Sequence, residues 1–235
     1  MTWHISKTRS LIERAFGLGQ VALARPSLKS VVDRQDYARY HYQEAMGLVS
    51  TFTAEHLTDR LLLDVALGQD ESRIAFETLM TKLGAHVIAC VQCIHSIPDI
   101  LAHTFYYSLG LNQQCLLDER AISADSVGRL LGANPKYLDL AASLRSLTSD
   151  GQARHVAALA NHSKHRSIVQ PLLNEDMTGE RADRHEVRFA SFRYRDVLHP
   201  EITVSNLLEP EYARSSRVTI EAGEKLNEVL TALAP

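Results

Sequence analysis

Two groups of histidines carry most of the residue types that could do chemistry in this sequence. The first is Arg154-His155, followed after five residues by Asn161-His162-Ser163-Lys164-His165-Arg166. On a helix, Arg154, Ala158, Asn161 and His165 fall close to one line, and His155, His162 and Arg166 form a second. Imidazole exchanges protons near neutral pH, and Arg or Lys stabilises developing phosphate charge. These are the needs of RNA cleavage in which a 2′-hydroxyl attacks the adjacent phosphate. Asn161, His165 and Arg154 are therefore the candidate catalytic residues. Lys164, Arg166 and His162 are the candidate phosphate ligands. A capped, solvated helix end accounts for the same residues without chemistry, because cations suit a helix C-terminus.

The second group is His95-x-x-x-Asp99-x-x-x-His103. Steps of four place the three side chains on one helix face, where two imidazoles and a carboxylate could hold zinc or non-haem iron. A step of four rises about 6 Å, which suits two ligands better than three, so the third would come from another helix. His162 and His165 are the candidates for that role in a metal-dependent helical enzyme. The other reading of Asp99 is a polar partner for a buried histidine. Otherwise no cofactor is expected. Cys90-Val-Gln-Cys93 lies among apolar residues in mid-helix and reads as buried thiols rather than a redox pair. Gly17-Leu-Gly19 is a lone G-x-G, and there is no P-loop and no G-x-S-x-G elbow.

The background for these groups is ordinary. The 235 residues hold 25 Lys and Arg against 28 Asp and Glu, with 45% apolar residues. That excludes a collagen, a disulfide scaffold and a wholly disordered chain. Three cysteines point to a reducing cytoplasm. The apolar run at 61–67 is too short to span a bilayer, so no membrane partner is expected. Residues 1–32 have a net charge of +4, read as a basic first helix rather than a targeting segment. Residues 33–150 sum to −6, and 151–235 to −1. The window 151–174 contains no acid at all, yet holds Arg154, Lys164, Arg166 and three histidines. A basic window in a mildly acidic chain points to an anionic partner such as phosphate or RNA.

The elements that must position these residues are mainly helical. Apolar steps of three and four predict one long helix over 36–67, with Gly68 as its C-cap. They predict a second over 71–109, with a kink or break at Pro98. Shorter helices are expected over 123–131, 136–146 and 152–166, the last capped within 148–151. A final helix is expected over 211–233. Between them, 168–169, 187–194 and 202–204 have strand character around a polar loop at 174–184. The expected fold class is mainly α: a helical bundle with two long antiparallel helices and a small late β-hairpin or three-stranded appendage. The expected domains are a bundle at 1–170, and a β appendage with the C-terminal helix at 171–235.

A helical bundle whose late helix carries a polar residue and then, after a short gap, a histidine resembles the HEPN superfamily. The matching piece is Asn161-His162-Ser163-Lys164-His165, with the upstream helix around HSIPDILAH, over about 36–170. The resemblance implies metal-independent endoribonuclease activity or non-catalytic RNA binding in a homodimer. It also implies a role in bacterial defence or stress response, with an antitoxin as a possible partner protein. The family pattern places an Arg directly before the polar residue, and this chain has Ala160 there. Starting from Arg154 instead puts His162 slightly too far along. An inactive binding relative fits the sequence as well, and so does an interaction protein without chemistry.

Overall fold

The computed structural model describes residues 2–233. Met1, Ala234 and Pro235, at the ends of the two expected domains, lie outside the described residues. Within them the chain forms eight α-helices and five short strands. The mainly helical class is as expected, and the late β structure is present.

Two compact units interleave along the chain, and residue 170 is not a boundary between them. One comprises Met1–Asp36, Ile94–Arg154 and Tyr212–Pro235; the other comprises Tyr37–Cys93 and His155–Glu211. The division differs from the expected domains because helices α2 (Leu18–His56), α4 (Glu71–Ser108), α7 (Gly151–His165) and α8 (Val204–Leu233) each contribute to both units.

The first unit is all helical. It contains α1 (Ile5–Phe16), α5 (Ala124–Gly132), α6 (Leu138–Ser149) and parts of the longer helices. Gly17, at φ 86°, ends α1 and donates its N–H to the Glu13 carbonyl, a conformation that glycine adopts without a Cβ penalty. Its core joins Leu11 and Ile12 of α1, Leu28 and Val31 of α2, Leu101 and Phe105 of α4, and Leu226 and Leu230 of α8. Close approach at Gly223 is the tightest feature. A Cβ there would lie 1.9 Å from the Trp3 ring. Trp3 Nε1 donates to Thr8 Oγ1 at 2.8 Å, and Thr8 Oγ1 donates to Asn227 Oδ1 at 2.7 Å. Gly223→Ala is therefore expected to expel the indole and cost about 1–3 kcal/mol, the usual range for overpacking. Trp3 is the only tryptophan, so a red-shifted emission and a lower urea midpoint would report the change. Unchanged emission would contradict this packing.

The second unit holds the rest of α2 and α4, α3 (Leu62–Leu67), α7 from His155 onward, the start of α8 and all the strands. Strands β1 (Pro171–Glu175), β2 (His185–Phe189) and β5 (Ile202–Thr203) form an antiparallel sheet in the order β1-β2-β5. Strands β3 (Phe192–Tyr194) and β4 (Val197–His199) form a separate hairpin. Its turn residues, Arg195 and Asp196, have φ of 48° and 63°, the pairing that suits a tight two-residue hairpin. Val187 and Phe189 are buried on one face of β2.

Several boundaries moved, each for a physical reason. The helix expected over 36–67 starts at Leu18 and ends at His56. A short break follows, and the N–H of Leu62 at the start of α3 is held by Glu175 Oε2 at 2.7 Å. That partner lies 113 residues away and leaves no local signature. Pro98 sits inside α4 without ending it. The last helix begins at Val204 rather than 211, because Thr203 Oγ1 accepts from the Asn206 N–H at 3.1 Å and caps it. Pro210 is carried inside that helix. The strand expected at 168–169 begins at Pro171, and the one expected over 187–194 is broken at Ala190 and Ser191.

Among the described residues one helix, α4, has the length and hydropathy to cross a membrane, with an 18-residue window of mean hydropathy 1.4. The sequence reading considered only 61–67 and passed over it. The same helix supplies core residues to both units, Leu79, Leu83 and Val87 to one and Leu101 and Phe105 to the other.

Candidate functional site

Helix α7 is set by its two ends. Asp150 Oδ1 accepts from the Gln152 N–H at 2.8 Å, and its carbonyl accepts from the Arg154 N–H at 3.0 Å. This is the side-chain cap expected within 148–151. At the far end, the N–H groups of Arg166 and Ser167 both return to the His162 carbonyl, at 2.9 and 3.1 Å. Between the ends, Val156, Ala158, Leu159 and Ala160 are buried. Gln92 Nε2 donates to the Ala160 carbonyl at 3.1 Å.

The histidines of this helix divide into a buried pair and an exposed one. His155 and His162 are 8% and 7% exposed. His162 Nδ1 donates to the Ser167 carbonyl at 2.6 Å, which fixes its tautomer. His162 was expected to hold phosphate. It does not reach the surface, because it closes the helix end instead. His165, Lys164 and Arg166 are exposed, and Asn161 is half-buried.

The β3–β4 hairpin covers the buried pair. Phe192 lies 5.5 Å from the His162 ring and 5.7 Å from His155, centroid to centroid. His199 stacks on Phe192 at 4.8 Å with the planes 13° apart, and meets His155 at 5.0 Å. Phe192 and His199 are direct cross-strand partners. Burial, and then the neighbouring His199, push the His155 imidazole down to about 4. Burial also lowers His199. The His155 Nε2 is buried without a hydrogen-bond partner. His155 and His199 are thus neutral at neutral pH and act as packing. Sequence reasoning missed His199 because it read 187–194 as one strand. The break at Ala190 and Ser191 and the turn at Arg195-Asp196 set the register that brings His199 in.

The candidate catalytic set is only partly brought together. Asn161 and His165 are one turn apart on α7. Arg154 is exposed and precedes His165 by eleven residues, about 16 Å of helical rise. It cannot serve the same reacting phosphate as His165 within one chain.

The second group does not form a ligand set. Asp99 Oδ1 accepts from the Ala124 N–H at 2.9 Å, at the first turn of α5, where a carboxylate also complements the helix dipole. Ser123 and Ser126 complete a capping box there. The His103 ring lies against Tyr107 at 6.3 Å. Among the described residues, no three of His, Cys, Asp and Glu gather in a way that could hold a metal ion. The His95, Asp99 and His103 reading, with zinc or iron, is corrected accordingly, since Asp99 is committed as a helix cap. Cys90 and Cys93 are buried, and burial pushes the Cys90 thiol up to about 12, so it stays protonated and unreactive.

A pair that the sequence reading did not form lies on α2 and α4. His41 Nδ1 and His86 Nδ1 face each other at 3.0 Å. The Tyr40 ring packs edge-on against both, at 5.2 and 6.2 Å. Burial and the adjacent His86 lower His41, while Glu44 raises it. The positions are 45 residues apart, and only the α2–α4 register could have joined them.

Comparison with protein-family models, curated proteins and solved structures returns no match for this chain.

Proposed function

We propose that the protein binds RNA through the exposed end of α7 and the outward face of the β3–β4 hairpin. The observation that carries this reading is the consecutive run Lys164, His165 and Arg166, all exposed, inside a window without acids. The C-terminus of a helix carries about half a negative charge. Two permanent cations outweigh it and leave a positive surface. The hairpin adds exposed Arg193 and Arg195, with the Arg195 guanidinium 5.3 Å above the Tyr194 ring. Cations along a backbone track, beside an aromatic ring, match the chemistry that holds single-stranded RNA. This agrees with the resemblance of Asn161 to His165 to the HEPN superfamily.

Binding is the primary activity in this reading, and cleavage is secondary. His165 is exposed and can exchange a proton, and Asn161 one turn earlier can orient it. The cation for the scissile phosphate would have to be Lys164 or Arg166, because Arg154 is too far along the helix. The test is labelled single-stranded RNA mixed with the protein at low salt, with EDTA present. The reading expects retarded RNA. If the RNA is also cut, His165→Ala should abolish cutting and leave binding within about threefold, since Lys164 and Arg166 supply the permanent charge that attracts phosphate. Absence of any complex at low salt would overturn the reading.

A further inference from the structure

We propose that the groove between α2 and α4 is the docking site of a partner protein, which enters it as a basic amphipathic α-helix. The groove measures about 640 Å³, and all its lining belongs to one unit. Its α2 wall runs from Glu44 to Glu55, and its α4 wall from Glu71 to Lys82. Each wall is eleven residues of helix, a rise of about 16 Å or three turns. Leu48 and Phe52 of α2 and Leu79 of α4 line it with apolar surface, and Ile74 adds a side chain that is 66% exposed. On the α2 wall, a Cβ at Gly47 would meet nothing within 4 Å, so a neighbouring backbone can come close there. The backbone groups of both walls are paired within their own helices, so an extended peptide finds no ladder to join. A third helix instead packs its ridges between two others.

The charges set the sign of the occupant. His41 on α2 faces His86 on α4. The two helices therefore run in opposite directions along the groove. Glu44 and Lys82 share the end nearer that pair, and Glu55 and Glu71 share the far end. Lys82 balances Glu44 in charge, and no cation lining the groove balances the other two. The arginines nearby in sequence are engaged elsewhere, Arg60 with Asp70 and Arg73 with Glu77, each at 3.1 Å. Glu55 meets the His56 ring at 3.9 Å. It also stands in the last turn of α2, where the negative pole of the helix repels a carboxylate. A lysine or arginine brought by the partner relieves that repulsion. The same acids repel phosphate, so this groove and the cationic end of α7 serve different partners.

The probes are two fluorescein-labelled synthetic peptides of about 18 residues, above the length at which isolated helices are marginal. Both carry leucine on one helix face. The other face carries lysine in one peptide and glutamate in the other. Anisotropy with the full-length protein at low salt is expected to show saturable one-to-one binding of the lysine peptide, about tenfold or more tighter than the glutamate peptide. Glu55→Lys/Glu71→Lys should reverse that preference. Gly47→Phe should weaken the lysine peptide about tenfold or more by filling the groove, with far-UV circular dichroism as the check on folding. Reversing Glu119 and Asp125 to lysine, exposed acids of the other unit, should leave binding unchanged. No saturable binding of the lysine peptide, or equal loss from both charge reversals, would overturn the proposal. Sedimentation of the protein alone tests a second copy as the occupant. The expected result is an oligomeric state that Gly47→Phe does not change, and a dimer that this variant dissolves would also overturn the proposal.

Discussion

Lowering the pH from 7 to about 4 is expected to cost up to about 3 kcal/mol of stability through His155 alone. Its native value is pushed down to about 4, from 6.5 for a free imidazole. Above 6.5 the ring is neutral in both the folded and the unfolded chain, and the contribution is complete. As the pH falls below 6.5, the unfolded chain takes up a proton that the native state refuses. The loss runs at about 1.4 kcal/mol per pH unit and levels off below about 4. His199 and His41 are lowered in the same direction and steepen the same window. Asp70 and Asp176 are also held low by hydrogen bonds, but their free value of 3.8 places their effect at more acid pH. The window between 4 and 6.5 therefore belongs to histidine. Urea midpoints at several pH values check this. His155→Phe should flatten the slope by about one proton, because a phenyl ring packs against Phe192 and His199 without titrating. A slope unchanged in that variant would contradict the buried, neutral His155.

Reversing Lys164 and Arg166 to glutamate is expected to weaken RNA binding at least tenfold at low salt. Each cation that contacts a phosphate releases a counterion, worth about −0.7 in the slope of log affinity against log salt for single strands. Losing both should flatten that slope by about 1.4. The reversed charges also add repulsion to the negative end of α7. Both side chains are exposed, so the loss of stability should come from the helix end alone and stay at about 1–2 kcal/mol. The same pair of changes on Lys136 and Arg129, exposed cations of the other unit, should leave binding unaffected. Equal loss from both pairs would mean that general charge, rather than the α7 surface, holds the RNA.

The helices were legible because apolar spacing and capping residues are local. The helix α4 is the clearest case, with Leu79, Leu83, Val87 and Leu101 on one buried stripe. The Asp150 cap of α7 was readable for the same reason. Positions set by distant partners were not readable. Glu175 holding the start of α3 is one example. The His41–His86 pair is another, since it depends on the register between two helices. The two sheets read as a single appendage because propensity in 187–194 is continuous, whereas the strand is interrupted at Ala190 and Ser191 and the chain turns at Arg195 and Asp196. For the candidate site, the exposed run from Lys164 to Arg166 was visible as an acid-free window. The burial of His155 and His162 was not, because Phe192 and His199, which cover them, lie more than 25 residues further on.

RNA binding by the α7 surface is open to a direct measurement. Fluorescence anisotropy of a labelled single-stranded RNA is recorded with the parent protein and with the Lys164→Glu/Arg166→Glu variant across a series of salt concentrations. Salt-dependent binding is expected for the parent protein, and at least tenfold weaker binding for the variant, with a slope flatter by about 1.4. No binding by the parent protein at the lowest salt, or identical isotherms for the two proteins, would contradict it.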